Sequence, residues 1–234
     1  MKYKTLFLIS ILTPFCAGIA LPEVSERIFG SETLKLEEIF FDGFDKELSN
    51  WRAEGDARVD VREGFLEVDA TGGVVGAATV WCVKKFSGAQ VVEYDVRIMP
   101  GSLQSNINMF LLAAVPAEPG KIGTGNYKEY HVFPNYLVTI LNALSPERRS
   151  MLRVRLRLNP GFKLAGERWH EPLEFGHVYH IAYIIRPPEL AVYLDGRLVG
   201  SHSYETALNE GFHALRIWHT NSLYDNFRVS RVVE

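Results

Sequence analysis

A histidine and a tyrosine in the middle of the chain have side chains suited to proton-transfer chemistry. His131 ends the run Glu129-Tyr130-His131, and Tyr136 follows Pro134-Asn135. If Pro134-Asn135 forms a tight hairpin, the two side chains lie near one another. An imidazole base and a phenol acid could then remove a proton beside the carboxylate of an acidic sugar, as a β-eliminating lyase does. The alternative is an aromatic-rich sheet face whose polar tips are hydrogen-bonded.

Three arginines alternate with aliphatic residues in residues 152–159. Arg153, Arg155 and Arg157, followed by Asn159, point to one face of a predicted strand, with about 7 Å between successive members. Like charges at that spacing call for anionic partners. One interpretation is a groove in which guanidinium forks hold the carboxylates of an acidic sugar chain. The other is an outer face paired with Glu or Asp side chains of neighbouring strands.

Two further residues complete the predicted site. Neutralising a substrate carboxylate makes the adjacent proton removable, and Asn142 or Arg155 could supply that interaction. Trp218 shares a strand face with Arg216, where an aromatic ring could stack on a sugar; its other interpretation is a core or rim aromatic. We therefore predict His131 and Tyr136 as catalytic residues. The predicted substrate-binding residues are Asn142, Arg153, Arg155, Arg157 and Trp218.

A pair of carboxylates offers a different chemistry. Glu93 and Asp95 are two residues apart on a predicted strand, so both project to one face about 7 Å apart. That separation is compatible with the acid and base of glycoside hydrolysis. A structural role for the pair is the favoured interpretation, and binding to the arginines of residues 153–157 is one form that it could take.

Composition narrows the class of protein. The 234 residues carry 25 Lys+Arg against 28 Asp+Glu, a net charge of -3, and 47% are hydrophobic. This balance is typical of a globular domain and argues against a disordered chain. It gives no electrostatic signature for nucleic acid or anionic lipid. His170, His177 and His180 fit no standard zinc spacing, so we expect no required cofactor.

The N-terminal residues resemble a secretory leader. Lys2 and Lys4 precede an apolar run, and Gly18-Ile19-Ala20 has the pattern of a cleavage site. We predict a signal peptide over residues 1–20, an N-terminal extension over 21–36 and one domain over 37–234, in a secreted or periplasmic protein. Lipidation at Cys16 is the alternative. No later run is long enough for an integral membrane segment. After cleavage Cys82 is the only cysteine, predicted to be a buried hydrophobe.

Period-two alternation dominates the mature chain. The predicted strands cover residues 59–61, 65–68, 91–98, 106–115, 127–133, 136–142, 151–158, 179–185, 190–194, 197–201, 214–219 and 227–232. Asp195-Gly196 is the strongest hairpin signal. Only residues 25–36 and 145–150 could hold a short turn or helix. Many short strands at regular spacing predict an all-β jelly-roll sandwich of two antiparallel sheets.

Several segments resemble the concanavalin-A-like lectin/glucanase superfamily. They are Phe40-Phe41-Asp42-Gly43-Phe44 with Asn50-Trp51, Glu93-Tyr94-Asp95-Val96, Val192-Tyr193-Leu194-Asp195-Gly196 and Tyr224-Asp225-Asn226-Phe227-Arg228-Val229. Within it, residues 129–136, 155–162 and 216–219 are similar to the YesU-like bacterial proteins, which occur beside genes for pectin and other polysaccharide use. The resemblance implies a concanavalin-A-like fold, a carbohydrate partner and a possible structural calcium ion near Asp42, Asp45 or Asp225.

The resemblance also bears on the reaction. Jelly-roll glucanases of this superfamily carry Glu-x-Asp-x-Glu, whereas this chain has Arg97 in place of the third carboxylate. We therefore predict a secreted protein that cleaves an acidic polysaccharide, by β-elimination rather than hydrolysis. The alternative is a non-catalytic, lectin-like protein that binds an oligo- or polysaccharide on the same fold.

Overall fold

The computed structural model describes residues 23–233, and most of this part of the chain is β-strand. The strands are β1 (Val24–Phe29), β2 (Glu32–Asp42), β3 (Trp51–Gly55), β4 (Arg58–Arg62), β5 (Phe65–Asp69), β6 (Ala77–Ser87), β7 (Gln90–Ile98), β8 (Asn106–Ala113), β9 (Asn135–Leu144), β10 (Ser150–Asn159), β11 (Lys163–His170), β12 (Val178–Arg186), β13 (Glu189–Leu194), β14 (Arg197–Ser203), β15 (Glu210–Trp218) and β16 (Asn221–Val233). A single 3₁₀ turn covers Tyr127–His131.

The strands form two antiparallel sheets that pack face to face. The nine-stranded sheet has the order β1-β2-β16-β7-β12-β13-β14, with β5 also paired to β16 and β4 paired to β5. The seven-stranded sheet has the order β11-β10-β9-β8-β15-β6-β3. This architecture confirms the predicted all-β sandwich.

The main core lies between the two sheets. On β10, Leu152, Val154 and Leu156 are buried in it, and on β12 Ile181 and Tyr183 reach it from the opposite sheet. Each fully buried aliphatic side chain stabilises the fold by about 1.5–3 kcal/mol relative to exposure. Because strand side chains alternate, the residues between these core positions point away from the core, on the outer faces of the sheets.

The hairpin predicted at Asp195-Gly196 is confirmed. It joins β13 to β14, and both turn residues have positive φ, 48° at Asp195 and 73° at Gly196. Two consecutive positive φ angles are those of a type I′ turn, whose twist matches the flanking strands. Cys82 is fully buried, as predicted, and burial raises the pKa of its thiol to about 12.

One local prediction is wrong and another is confirmed only in part. Residues 25–36 hold a turn at Gly30-Ser31, but the rest of the segment lies in β1 and β2, which pair with each other from Val24 to Glu37. The predicted domain boundary at residue 37 therefore falls inside β2. Residues 127–133 are not a strand; they belong to a long loop, residues 114–134, that contains the 3₁₀ turn. The predicted leader and Cys16 lie outside the described residues.

Among residues 23–233, no helix is long and apolar enough to cross a membrane.

Candidate functional site

A row of polar side chains crosses the outer face of the seven-stranded sheet from edge to edge. Its members are aligned partners on successive strands: Glu167 (β11), Arg155 (β10), Thr139 (β9), Asn108 (β8), Arg216 (β15), Thr79 (β6) and Glu54 (β3). Aligned residues of neighbouring strands project to the same face. The row therefore places Arg155 of the predicted site on the same surface as Arg216, 61 residues later in the chain.

A cavity of about 620 Å³ lies over the middle of this row. The next row of the same face supplies Asn106 and Trp218, which are aligned partners on β8 and β15. The polar and aromatic side chains that line the cavity include Asn106, Asn108, Asn126, Tyr127, Arg153, Arg155, Arg216 and Trp218. We call this cavity the arginine groove.

Arg216 is a buried cation in the arginine groove. Its exposed fraction is 2%, and its Nε and Nη1 atoms have no hydrogen-bond partner. The guanidinium carbon lies 5.3 Å from the centre of the Tyr127 ring and 5.8 Å from that of Tyr130. Burial lowers the pKa of Arg216. An arginine remains charged even so, and an unpaired buried charge is costly.

Arg153 and Arg155 bring two more positive charges to the arginine groove. Both are half-buried, and the Nε of each lacks a partner. Burial, followed by the charges of Arg153 and Arg157, lowers the pKa of Arg155. Within residues 23–233, no carboxylate comes within ion-pair distance of Arg153, Arg155, Arg157 or Arg216. Glu167, aligned with Arg155 on β11, acts on Arg155 and Arg157 only beyond ion-pair distance, so the outer face is not one of paired acids and arginines.

Arg157 lies outside the arginine groove. It is mostly buried, its Nη1 donates a hydrogen bond of 3.0 Å to the Phe162 carbonyl oxygen, and its guanidinium lies 3.9 Å from the centre of the Phe162 ring. These contacts give Arg157 a packing role inside the protein. Its predicted contact with substrate has no support in this geometry.

The loop of residues 114–134 forms one wall of the arginine groove. Tyr130 and Phe133 of the loop pack on Trp81, Phe110 and Leu137 of the sheet in a second apolar cluster. The 3₁₀ turn begins at Asn126, whose side chain accepts a hydrogen bond from the Lys128 backbone nitrogen. This cap holds Asn126 and Tyr127 at the cavity.

Glu54 anchors that loop to the sheet. Its buried carboxylate accepts hydrogen bonds from Trp81 Nε1 (3.1 Å), the Tyr130 hydroxyl (2.9 Å) and the Ile122 backbone nitrogen (2.5 Å). Three donors compensate the burial of the charge. Sequence reasoning missed both Glu54 and Arg216. The sequence indicated Arg216 only through its position on the same strand face as Trp218.

His131 lies behind the wall of the arginine groove. Its ring stacks on Phe162 at 4.0 Å between centres and meets Tyr127 edge-on at 4.4 Å. Burial, together with the charges of Arg157 and Arg216, lowers its pKa to about 4. The imidazole is therefore neutral at physiological pH, but it is not among the side chains that line the cavity.

Tyr136 faces the core, on the opposite side of the sheet from His131. Its ring stacks on Tyr204 at 4.5 Å, and its hydroxyl donates to the Thr206 carbonyl oxygen (3.3 Å) and accepts from the Leu208 backbone nitrogen (2.9 Å). The prediction that Pro134-Asn135 brings Tyr136 beside His131 is wrong. A loop precedes β9 in place of a second strand, and alternation along β9 then turns Tyr136 inward.

Asn142 follows the same alternation as Tyr136. Its side-chain amide donates to the Leu173 carbonyl oxygen (2.9 Å) and accepts from the Leu173 backbone nitrogen (2.8 Å). Asn142 lies at the margin of the arginine groove. The oxygen and the nitrogen of its side-chain amide are both bonded to the backbone of Leu173, between β11 and β12. Trp218 is placed as predicted: its side chain lines the groove, and 42% of the residue is exposed.

Glu93 and Asp95 lie on the outer face of the other sheet. Arg27 Nη1 donates to Glu93 Oε2 at 2.5 Å, and the His180 ring nitrogens lie 2.8 Å from Asp95 Oδ1 and 3.3 Å from Glu93 Oε1. The hydrogen bond with Glu93, aided by Asp95, raises the pKa of His180. The predicted pairing of these carboxylates with the arginines of residues 153–157 is wrong, because the two sets occupy opposite sides of the sandwich.

Asp42, one of the three residues at which the family resemblance implies a possible calcium ion, is engaged by groups of the protein itself. The Asp42 carboxylate accepts hydrogen bonds from the Asn50 side chain, the Trp51 indole and the Phe44 backbone nitrogen. Within residues 23–233, no group of three or more His, Cys, Asp or Glu side chains is placed to hold a metal ion. Calcium prefers six to eight oxygen ligands, which such a site would have to supply.

Residues 73–227 match a family described as "Domain of unknown function (DUF6250)". No curated protein matches the chain. Among the solved structures that share the architecture are the following three. A Bacillus subtilis protein of unknown function with a galectin-like fold has a TM-score of 0.70 and 18% identity, over 91% of this chain and 100% of its own. The carbohydrate-binding module CBM66 from the same organism has a TM-score of 0.56 and 15% identity, over 78% and 96%.

The third structure is an endo-β-1,3-glucanase from Pyrococcus furiosus. Its TM-score is 0.60 at 14% identity, over 92% of this chain and 100% of the glucanase. These likenesses establish a concanavalin-A-like, galectin-like sandwich, as the sequence resemblance predicted. The fold is one that carbohydrate-binding modules, lectins and glycosidases share, so it associates the chain with carbohydrate without specifying an activity.

Proposed function

The chain belongs to the DUF6250 family, and we propose that it is a carbohydrate-binding protein whose arginine groove takes an acidic saccharide. Arg216 is the observation that carries the proposal. A guanidinium that is 98% buried and has two unpartnered nitrogens lacks the anion that would compensate its burial. A carboxylate or sulfate group on a ligand would supply it through paired hydrogen bonds.

The rest of the arginine groove has the composition of a sugar site. Its volume of about 620 Å³ is within the range of small-molecule pockets. Arg153 and Arg155 offer further guanidinium donors, and Asn106 and Asn108 are placed to hydrogen-bond sugar hydroxyls. Trp218 presents an exposed ring on which a pyranose could stack. Positive charge, amides and an aromatic ring in one cavity favour a polyhydroxylated anion over a neutral or apolar ligand.

Binding is a better account of this groove than β-elimination. Elimination requires a base and an acid that both reach the substrate. His131 stacks behind Tyr127, and Tyr136 faces the core. Tyr127 lines the cavity, but burial raises the pKa of its hydroxyl, which makes it a poor base at neutral pH. The carboxylate pair predicted as the alternative for hydrolysis, Glu93 and Asp95, is bound to Arg27 and His180 on the other sheet.

A binding panel tests the proposal. The purified protein would be applied to immobilised galacturonan, alginate, sulfated galactan, xylan and β-glucan. We expect binding to at least one anionic polymer, its loss in Arg216→Met and weakening in Trp218→Ala. Arg197→Met, which removes an exposed arginine on β14, is the matched control and should bind normally. Binding only to the neutral polymers, or to none, would contradict the proposal.

The same samples distinguish binding from cleavage. Unsaturated uronates absorb in the ultraviolet, and new reducing ends report any chain scission. We expect neither signal. Ultraviolet absorbance that is lost in His131→Ala would instead support the lyase.

A further inference from the structure

We infer that the arginine groove selects acidic saccharides that carry a small O-acyl group, such as acetyl, close to the anionic group. This inference rests on the proposed function and adds a substrate class to it. It follows from the composition of the cavity, which is cationic along the row of Arg155 and Arg216 and apolar at the end farther from the loop of residues 114–134.

Four cavity-lining residues make up the apolar end of the arginine groove. Leu141 and Ala143 lie on β9, Trp218 ends β15, and Val75 belongs to residues 70–76, the loop before β6. Trp218 and Val75 are exposed, at 42% and 38%. Trp218 can stack on a sugar ring, but the three aliphatic side chains are suited to a smaller apolar group, whose contact would remove apolar surface from water.

Hydrogen bonds hold the apolar end together. The His219 backbone nitrogen donates to the Gly76 carbonyl oxygen (2.8 Å), and the Gln104 backbone nitrogen donates to the His219 carbonyl oxygen (3.0 Å). The Asn142 backbone nitrogen donates to the Ser105 hydroxyl oxygen (2.6 Å). These residues adjoin the four apolar side chains in the sequence, so the side chains are held at fixed positions around one space.

Gly76 shows how closely the loop of residues 70–76 rests on the end of β15. Its φ is 58°, and a Cβ at this position would lie 2.5 Å from the His219 ring. Any larger residue would push the loop away from β15, because the ring already occupies the space. The close approach keeps Val75 at the cavity that Trp218 also lines.

The apolar end begins next to a guanidinium. Leu141 is the aligned partner of Arg153 on β10, and directly opposite residues of antiparallel strands have Cβ atoms about 5 Å apart. Ala143 is the aligned partner of Met151, two residues from Arg153. An apolar group at Leu141 and Ala143 would therefore belong to the sugar whose anion binds Arg153, or to the next sugar of the chain.

Two amides suit the polar half of an acyl group. The Asn108 side-chain nitrogen donates to the Asn106 side-chain oxygen (2.7 Å), so the NH₂ group of Asn106 remains to donate to a ligand oxygen. Gln104 also lines the cavity, two residues before Asn106. An ester carbonyl oxygen accepts such a bond while its methyl group contacts the apolar end. A deoxy sugar or an alkyl chain offers the methyl group without the acceptor.

Oligosaccharides that differ only in acetylation test the inference. The probes are tetragalacturonate and tetramannuronate, each before and after chemical O-acetylation, which leaves every carboxylate in place. In calorimetry, we expect at least one acetylated tetramer to bind about fourfold more tightly than its parent, the gain from removing one methyl group from water. Equal or weaker binding of the acetylated probes, with the parents still bound, would overturn the inference and leave the proposed function intact. Failure of every probe to bind, with no response on the polymer panel, would overturn both.

Variants at the apolar end give a second readout. Val75→Ser and Leu141→Ala should each reduce the ratio of affinities for the acetylated and parent tetramers from about four to about one, because each removes apolar surface that the methyl group would contact. Val178→Ser, at an exposed valine of β12 in the other sheet, is the matched control and should keep the ratio. An unchanged ratio in both groove variants would overturn the assignment of the acyl group to this end.

Discussion

Arg155 and Arg216 occupy the same cross-strand row of the seven-stranded sheet, and within the described residues neither forms an ion pair with a carboxylate. Their separation in the chain hides this relationship, which arises only when β10, β9, β8 and β15 come into register. Two unpaired cations on one partly buried face oppose folding, because desolvation and mutual repulsion both raise the free energy of the folded state. Such an arrangement is typical of a binding site whose ligand supplies the missing charge.

Replacing Arg216 should weaken binding of the acidic saccharide without lowering the stability of the fold. Arg216→Met has similar length and removes a buried unpaired charge, so we expect the free energy of unfolding to stay equal or to rise by about 1–2 kcal/mol. Binding of the acidic polymer should fall at least about tenfold, the loss of one charge-assisted contact. Urea unfolding and calorimetry on the same samples measure both. A variant that loses stability but still binds would show that Arg216 is structural.

Arg155 should act through the shape of its guanidinium as well as through its charge. Arg155→Lys keeps the charge but loses the planar fork, so we expect weaker binding with an unchanged dependence on salt. Arg155→Gln loses the charge, so its residual binding should depend less on salt. Titrations at low and high ionic strength distinguish the two variants. If both bind like the parent protein, Arg155 does not contact the anion.

Glu54 should be needed for the wall of the arginine groove. In Glu54→Gln an NH₂ group replaces one acceptor oxygen, so it faces either the Ile122 backbone nitrogen or the donors of Trp81 and Tyr130. We expect a loss of about 2–3 kcal/mol in the free energy of unfolding, because donors are left buried without partners. Hydrogen exchange should rise in residues 114–134, and affinity for the saccharide should fall. Glu210→Gln, at an exposed ion pair with Lys85, is the matched control.

Stability should fall in acid partly because of His213. This fully buried histidine accepts a hydrogen bond from the Leu112 backbone nitrogen at Nδ1 (3.3 Å) and therefore donates from Nε2 to Gln90 Oε1 (2.9 Å). Burial lowers its pKa to about 3. As pH falls below about 6.5 the unfolded chain takes up the proton first, so stability decreases until about pH 3, at up to about 1.4 kcal/mol per pH unit.

Unfolding titrations at several pH values check this contribution. His213→Gln should lower stability near neutral pH but flatten its decrease between about pH 6.5 and pH 3. His177→Gln, which makes the same substitution at an exposed histidine, is the matched control. His131 contributes in the same direction, since its pKa is lowered to about 4. An unchanged slope in His213→Gln would mean that His213 does not control the acid response.

The local pattern of the sequence was sufficient for most of the strands and for the two faces of β10. Alternation is a property of each strand alone, so the separation of Arg153, Arg155 and Arg157 from Leu152, Val154 and Leu156 could be predicted without any partner strand. The same applies to the hairpin at Asp195-Gly196, where two residues set the turn. Trp218 was placed correctly for this reason as well.

The predicted pair of His131 and Tyr136 failed because it depended on a connection between elements. Residues 127–133 alternate like a strand, but they pack as a loop on Trp81, Phe110 and Leu137, supplied by other strands. The core position of Tyr136 then follows from the register of β9 with β8 and β10. Neither the packing of residues 127–133 nor the register of β9 can be read from the sequence of that segment alone.

By itself, therefore, the sequence determined an all-β sandwich of two sheets, most of its strands and the alternation of side chains between the two faces of those strands, because these depend on residues two apart. The tertiary structure decided which side chains meet. Strand order and register brought Arg216 into line with Arg155, and placed Glu93 and Asp95 on the far side of the sandwich. The loop fixed by Glu54 closed one side of the groove. Such relationships depend on pairings between distant segments, whose energy is spread over the whole fold.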